Sequence, residues 1–118
     1  MYKKIIVALG LSHGHGVAAL EMARRLRAEG GTIIALHVLE PVPGFASYYL
    51  PPDHESEIRK TAEAAVRDRV GEQADAEVLV LSGHPGSTIT EFAEEVGADC
   101  IIVGSHKPEL QDLSLIHI

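Results

Sequence analysis

Apolar residues along the chain fall into two alternating patterns. Residues 5–9, 32–38, 78–81 and 100–103 are near-continuous runs rich in Val, Ile and Leu, which suits strands covered on both faces of a sheet rather than half-exposed ones. Between them the spacing changes. Ala19, Met22, Ala23 and Leu26 repeat at i, i+3, i+4, i+7, and so do Ile89, Phe92, Ala93 and Val96; Ile58, Ala62, Ala65 and Val66 make a looser stripe. Each stripe predicts an amphipathic helix with one face for a sheet. Gly30-Gly31 is expected to stop the first helix and Gly97 the last, and Thr88 with Glu91 has the Thr-x-x-Glu form of a capping box.

The predicted order is therefore β-α-β-α-β-α-β, an α/β class with a parallel sheet, helices on its faces and right-handed crossovers. Ligands of such sheets collect at the carboxyl ends of the strands. Those ends are Leu9-Gly10, Val38-Leu39, Ser82-Gly83 and Gly104-Ser105. The one long connection, residues 39–53, carries Pro41, Pro43, Pro51 and Pro52, which forbid regular structure over most of it, together with Phe45, Tyr48 and Tyr49. Its aromatics either cover the strand ends or a partner, or fold the loop onto the domain.

Composition narrows the function classes. A chain of 118 residues makes one small domain that hides roughly two-thirds of its unfolded surface. With 17 acidic against 10 basic side chains the net charge is -7, so no basic field exists to neutralise a nucleic-acid backbone. The single cysteine, Cys100, lies in an apolar run, reads as core and fits a reducing, cytoplasmic setting. No run approaches the ~18 apolar residues of a membrane span, and "SHGHG" after the first strand lacks a signal-peptide cleavage pattern.

Side-chain chemistry is sparse. The turn "LGLSHGHG" at residues 9–16 matches neither the dinucleotide fingerprint nor a Walker loop. His13 and His15 have no Cys or Glu at ligand spacing, and read as surface rather than metal ligands. His84 and His106 follow different strands and could share a site. Ser12, Ser82, Ser87 and Ser105 are potential nucleophiles, but none lies in a G-x-S-x-G elbow or has an identifiable base. A phosphoacceptor receiver domain would need acids where this chain has Gly10 and Ser82-Gly83. What remains is a cleft built largely of backbone, with "VGSH" at residues 103–106 offering N–H groups beside a permissive glycine, and Lys107 and Pro108 following.

Three blocks, "MYKKIIVALGLS", "IIALHVLEP" and "LVLSGHPGSTITEFAEEVGADCIIVGSH", resemble the universal stress protein family, and "GSHKP" is similar to its F/G-type branch. The resemblance implies a flavodoxin-like or Rossmann-like fold that binds ATP or AMP with Mg²⁺, dimerises through its final strand, and acts as a stress-response regulator or sensor with at most slow ATP hydrolysis. It places Ala8, Leu9, Gly10 and Val38 on the adenine and ribose side, and Val103, Gly104, Ser105 and His106 on the phosphate side. It also exposes departures: Gly10 stands where an Asp commonly meets the ribose, Leu11 where a Gly follows, and Lys107 where a second Gly is usual. An interaction module that binds no nucleotide is the alternative reading, and Gly10 favours it.

The same comparison assigns residues 1–112 to the domain, with the family's final helix and edge strand missing, and residues 113–118, "LSLIHI", to a non-native tail. Those six residues are what CTG TCT CTT ATA CAC ATC would encode, a string that resembles a transposase end sequence used in sequencing libraries; the other reading is a short apolar strand. Without an edge strand, the fourth strand would be an open apolar edge and the phosphate site would lose a wall.

Overall fold

The computed structural model describes residues 1–10, 16–40, 53–71, 75–104 and 113–117. Strands β1 (Tyr2–Ala8), β2 (Arg27–Leu39), β3 (Ala76–Ser82) and β4 (Cys100–Gly104) run parallel, and β5 (Leu113–His117) adds antiparallel to β4. Their order is β3-β2-β1-β4-β5. Among the described residues three helices, α1 (Gly16–Leu26), α2 (His54–Val70) and α3 (Pro85–Val96), connect the parallel strands.

The continuous apolar runs do what their patterning demands. Successive strand residues point to opposite faces, so Ile5, Val7 and Leu9 of the β1 segment, Ile33 and Ala35 of β2, and Cys100 and Ile102 of β4 join Ala19, Leu20 and Ala23 of α1 and Val66 and Val70 of α2 in one core layer. Ile6, Ile34, Leu36 and Ile101 face the other way, with Ala93 of α3 and partly buried Ile89, Phe92 and Val96. Helices thus cover both faces, α1 and α2 on one and α3 on the other. The α2 stripe is Ala62, Val66 and Val70; Ile58, expected to head it, is exposed.

Two boundaries differ from the sequence reading. The first helix ends at Leu26, before the glycine pair, and β2 starts at Arg27. Residues 28–31 form an irregularity: Tyr2 pairs with Arg27 but Lys4 with Thr32, so β2 carries extra chain against β1. Gly30 adopts φ +78° there, a left-handed conformation that glycine adopts without penalty. The second difference is the start of α3. Thr88 is inside the helix, its N–H donating to His84 O at 2.9 Å, and the N-cap position falls to His84, with no side-chain cap. Pro85 presets the helical φ at the first position, where its missing N–H costs nothing.

The edge of β4 is not open. β5 pairs with it from Cys100↔His117 to Gly104↔Leu113; the apolar run of the tail has strand composition, and pairing occupies the ladder groups that β4 would otherwise present to solvent. At the opposite end of β4, Asp99 clips the sheet. Its carboxylate accepts from the Lys3 and Lys4 N–H groups, each at 2.9 Å, while its own N–H donates to Lys4 O at 3.0 Å.

Candidate functional site

Strand order reverses at β1. The chain moves from β1 outward to β2 and β3, then returns to β4 on the other side of β1, so α1, which follows β1, and α3, which precedes β4, lie on opposite faces, and in open sheets such a reversal point is where ligands bind. Ala8 is paired with Val103 across this point and with Leu36 on the other side. Alternation puts Ala8, Val38 and Val103 on the α3 face, where Val38 and Val103 pack as partly buried residues. Three of the sequence-predicted contacts therefore share one apolar face at the carboxyl edge of the sheet, Ala8 and Val103 side by side in one row and Val38 two residues beyond Leu36, the partner of Ala8 on β2.

The other predicted residues are placed differently. Leu9 is 5% exposed and packs in the α1/α2 layer. Its backbone is also engaged: its N–H donates to Leu36 O at 2.8 Å, and its carbonyl lies 2.6 Å from His37 Nδ1. A carbonyl only accepts, so Nδ1 carries the hydrogen. Leu9 positions the end of β1 rather than offering free polar groups. Gly10 is exposed beyond it. Gly104 closes β4 opposite Leu113. Ser105 and His106 lie outside the described residues, as do Leu11, Ser12, His13, His15, Lys107, Pro108 and residues 41–52 of the long loop; the pairing of His84 with His106 lies outside them too.

A second concavity, which the sequence reading did not identify, opens on the α2 face. A cleft of ≈ 510 Å³ lies between the ends of β2 and β3 and the first turns of α2. Arg59 reaches across it. Its Nη1 donates to Val80 O and its Nη2 to Ser82 Oγ at 2.8 Å. The turn after β3 is tight: Gly83 has φ +148°, its N–H donates to Leu39 O at 2.9 Å, and an added Cβ would run into Thr88 Oγ1. One sequence signal pointed here, an arginine heading the buried stripe of Ala62, Val66 and Val70 at helical spacing, but only tertiary placement brings it to Ser82.

The groups with shifted acidity are structural. Burial pushes the Cys100 thiol up to about 11, with the Asp99 charge adding to it, so it is an inert core thiol. The Arg24 guanidinium holds the Asp75 carboxyl below the usual range, through a fork at 2.7 and 3.1 Å. Asp99 is also lowered: desolvation raises it, and the Lys3 and Lys4 N–H groups outweigh that. Among the described residues no cluster of three His, Cys, Asp or Glu could hold a metal, and no helix is long and apolar enough to cross a membrane. Ser82 Oγ accepts from Arg59 and Ser87 Oγ donates to His84 O at 3.4 Å, so among the described residues neither is paired with a base.

The strand order defines a class: open, mostly parallel α/β domains, whose ligands collect at the carboxyl edge where strand order reverses. The chain belongs to the universal stress protein family, whose model matches residues 1–116. A universal stress protein from Thermus aquaticus, encoded in the QAH/OAS sulfhydrylase 3′ region, is 30% identical over 111 residues, covering 89% of this chain and 78% of the relative. The crystal structure of hypothetical protein PH0823 superposes with a TM-score of 0.70 at 21% identity, over 95% of this chain and 82% of that one. A universal stress protein crystallised in complex with cAMP superposes with a TM-score of 0.58 at 19% identity, over 87% and 76%. The fold expected from the sequence is the fold observed.

Proposed function

We propose that this chain is a nucleotide-binding stress-response regulator or sensor, taking ATP or AMP at the crevice between β1 and β4. The observation that carries the reading is the apolar face shared by Val38 and the row of Ala8 and Val103, beside the reversal of strand order. Such a row offers a flat surface to a purine, and Gly104 with the turn after it would leave room for phosphates at backbone N–H groups. The family relative solved with cAMP supports an adenine nucleotide as the ligand class. Mg²⁺ would arrive with the phosphates, since no described cluster of side chains offers it a seat. The same reading includes a cytoplasmic homodimer and no more than slow ATP hydrolysis.

A second reading, an interaction module without nucleotide, is favoured by Gly10, which brings no carboxylate to the ribose side. Equilibrium dialysis of the chain against radiolabelled ATP, followed over time by analysis of the bound nucleotide, separates the two. Retention of ATP or AMP that is lost on Val103→Asp supports the nucleotide site; absence of retention by the folded chain leaves the interaction module.

A further inference from the structure

We propose that the cleft under α2 is a second ligand site, built for a small zwitterion of the amino-acid class with an aliphatic side chain. It is separate from the nucleotide crevice by construction. His37 and Leu39 of β2, and Val80 and Ser82 of β3, alternate onto the α2 face, whereas Ala8, Val38 and Val103 lie on the α3 face. A molecule in the cleft would sit across the sheet from one on the apolar row.

Arg59 supplies the anion-binding end. Its side chain could have paired with Glu55 or Glu63, one turn away on either side, yet among the described residues it forms no ion pair. Glu63 is taken by Arg67 at 3.8 Å. The guanidinium is instead fixed by Val80 O and Ser82 Oγ, two neutral acceptors, with no carboxylate in direct contact among the described residues. A guanidinium has five N–H donors, of which these contacts use two. Ser82 Oγ accepts from Arg59, and among the described residues its own hydroxyl hydrogen has no acceptor. A carboxylate is the planar partner that a held guanidinium takes best.

The rest of the lining decides against a plain anion. Glu40 and Glu55 stand on the same cleft, and a ligand with only negative charge would meet their repulsion as well as the attraction of Arg59. A ligand with an ammonium beside its carboxylate satisfies both signs. Leu39 and Ile58 form the apolar part of the wall, and Ile58 is 36% exposed, an aliphatic surface that a small hydrocarbon side chain would cover.

The test is an NMR titration of the ¹⁵N-labelled full chain with L-leucine, with 4-methylpentanoate, which keeps the skeleton and carboxylate, with isopentylamine, which keeps the ammonium, and with inorganic phosphate. L-leucine is expected to shift the amides of residues 54–59 and 82–83 and to bind at least about tenfold more tightly than either one-charge analogue. Arg59→Gln should abolish the carboxylate preference. Because that variant also cuts a tie between α2 and β3, Glu40→Gln with Glu55→Gln provides the second arm: these exposed changes should weaken L-leucine about tenfold and leave 4-methylpentanoate unweakened. The proposal is overturned if L-leucine shifts nothing in the cleft, if 4-methylpentanoate or phosphate binds as well as L-leucine, or if ATP shifts the same amides and displaces L-leucine. The last outcome would make the cleft the base end of the nucleotide site, and failure of leucine alone leaves the reading of the β1/β4 crevice intact.

Discussion

Single side chains in this domain mostly work as ties between the ends of elements. Arg24 joins the last turn of α1 to the end of α2, through Val70 O at 3.0 Å, and to Asp75 ahead of β3. The pair is partly buried, so it is screened less than a surface ion pair. Its acidity gives it a pH signature. The folded-state pKa of Asp75 lies below its ordinary 3.8. A depressed carboxyl contributes stability that is present in full above about pH 5 and is lost as pH falls through the unfolded value toward the folded one. Asp75→Asn should therefore be less stable than the parent near neutrality, and the difference should shrink as pH is lowered below 3.8. Urea unfolding at a series of pH values measures this; a constant difference across the series would show that Asp75 acts through shape rather than charge. His37 is a tie of the same kind, holding the end of β1 through Leu9 O.

Elements were legible where one local rule acted alone. The apolar runs of β1 and β4 read as buried strands because a continuous stretch of that length flanked by turn residues has no exposed face to offer; the β3 run is also a strand, but at the sheet edge, where only Val80 is buried. Gly97 ended α3 as expected, its N–H donating back to Glu94 O at 3.3 Å. Misreadings occurred where two rules competed. Gly30-Gly31 is a plausible helix stop, but the pair instead shapes the irregular start of β2, a register event invisible without β1 beside it. Thr88 and Glu91 form a plausible cap, but Pro85 starts the helix earlier. That correction is testable. A lost cap costs ~1 kcal/mol, whereas an ordinary substitution away from such features stays within about 0.5 kcal/mol. Thr88→Ala should fall in the smaller range in urea melts; a cost near the larger figure would restore the capping box. Arg59 was illegible for a different reason: its partners belong to another element, and no spacing along α2 encodes them.

At the scale of the whole molecule, charge and site pull in opposite directions. A chain of net charge -7 repels a polyphosphate at long range, so any affinity for ATP has to come from contacts at the crevice. Gly10, exposed past the end of β1, is where the family resemblance expects a carboxylate for the ribose. Restoring it tests both the site and the balance of terms. A hydrogen bond to a charged group contributes about 1.5–3 kcal/mol, equivalent to roughly tenfold or more in affinity. One further negative charge is partly screened at physiological salt. Gly10→Asp should therefore tighten adenosine, which carries no phosphate, by at least about tenfold, and tighten ATP by less, with the gap closing as salt is raised. 2′,3′-Dideoxyadenosine should gain nothing, because it lacks the hydroxyls that the carboxylate would meet. Calorimetric titration of the three ligands into both chains reads the outcome. If adenosine and its dideoxy analogue respond alike, Gly10 does not face a ribose, and the interaction module becomes the better account of this protein.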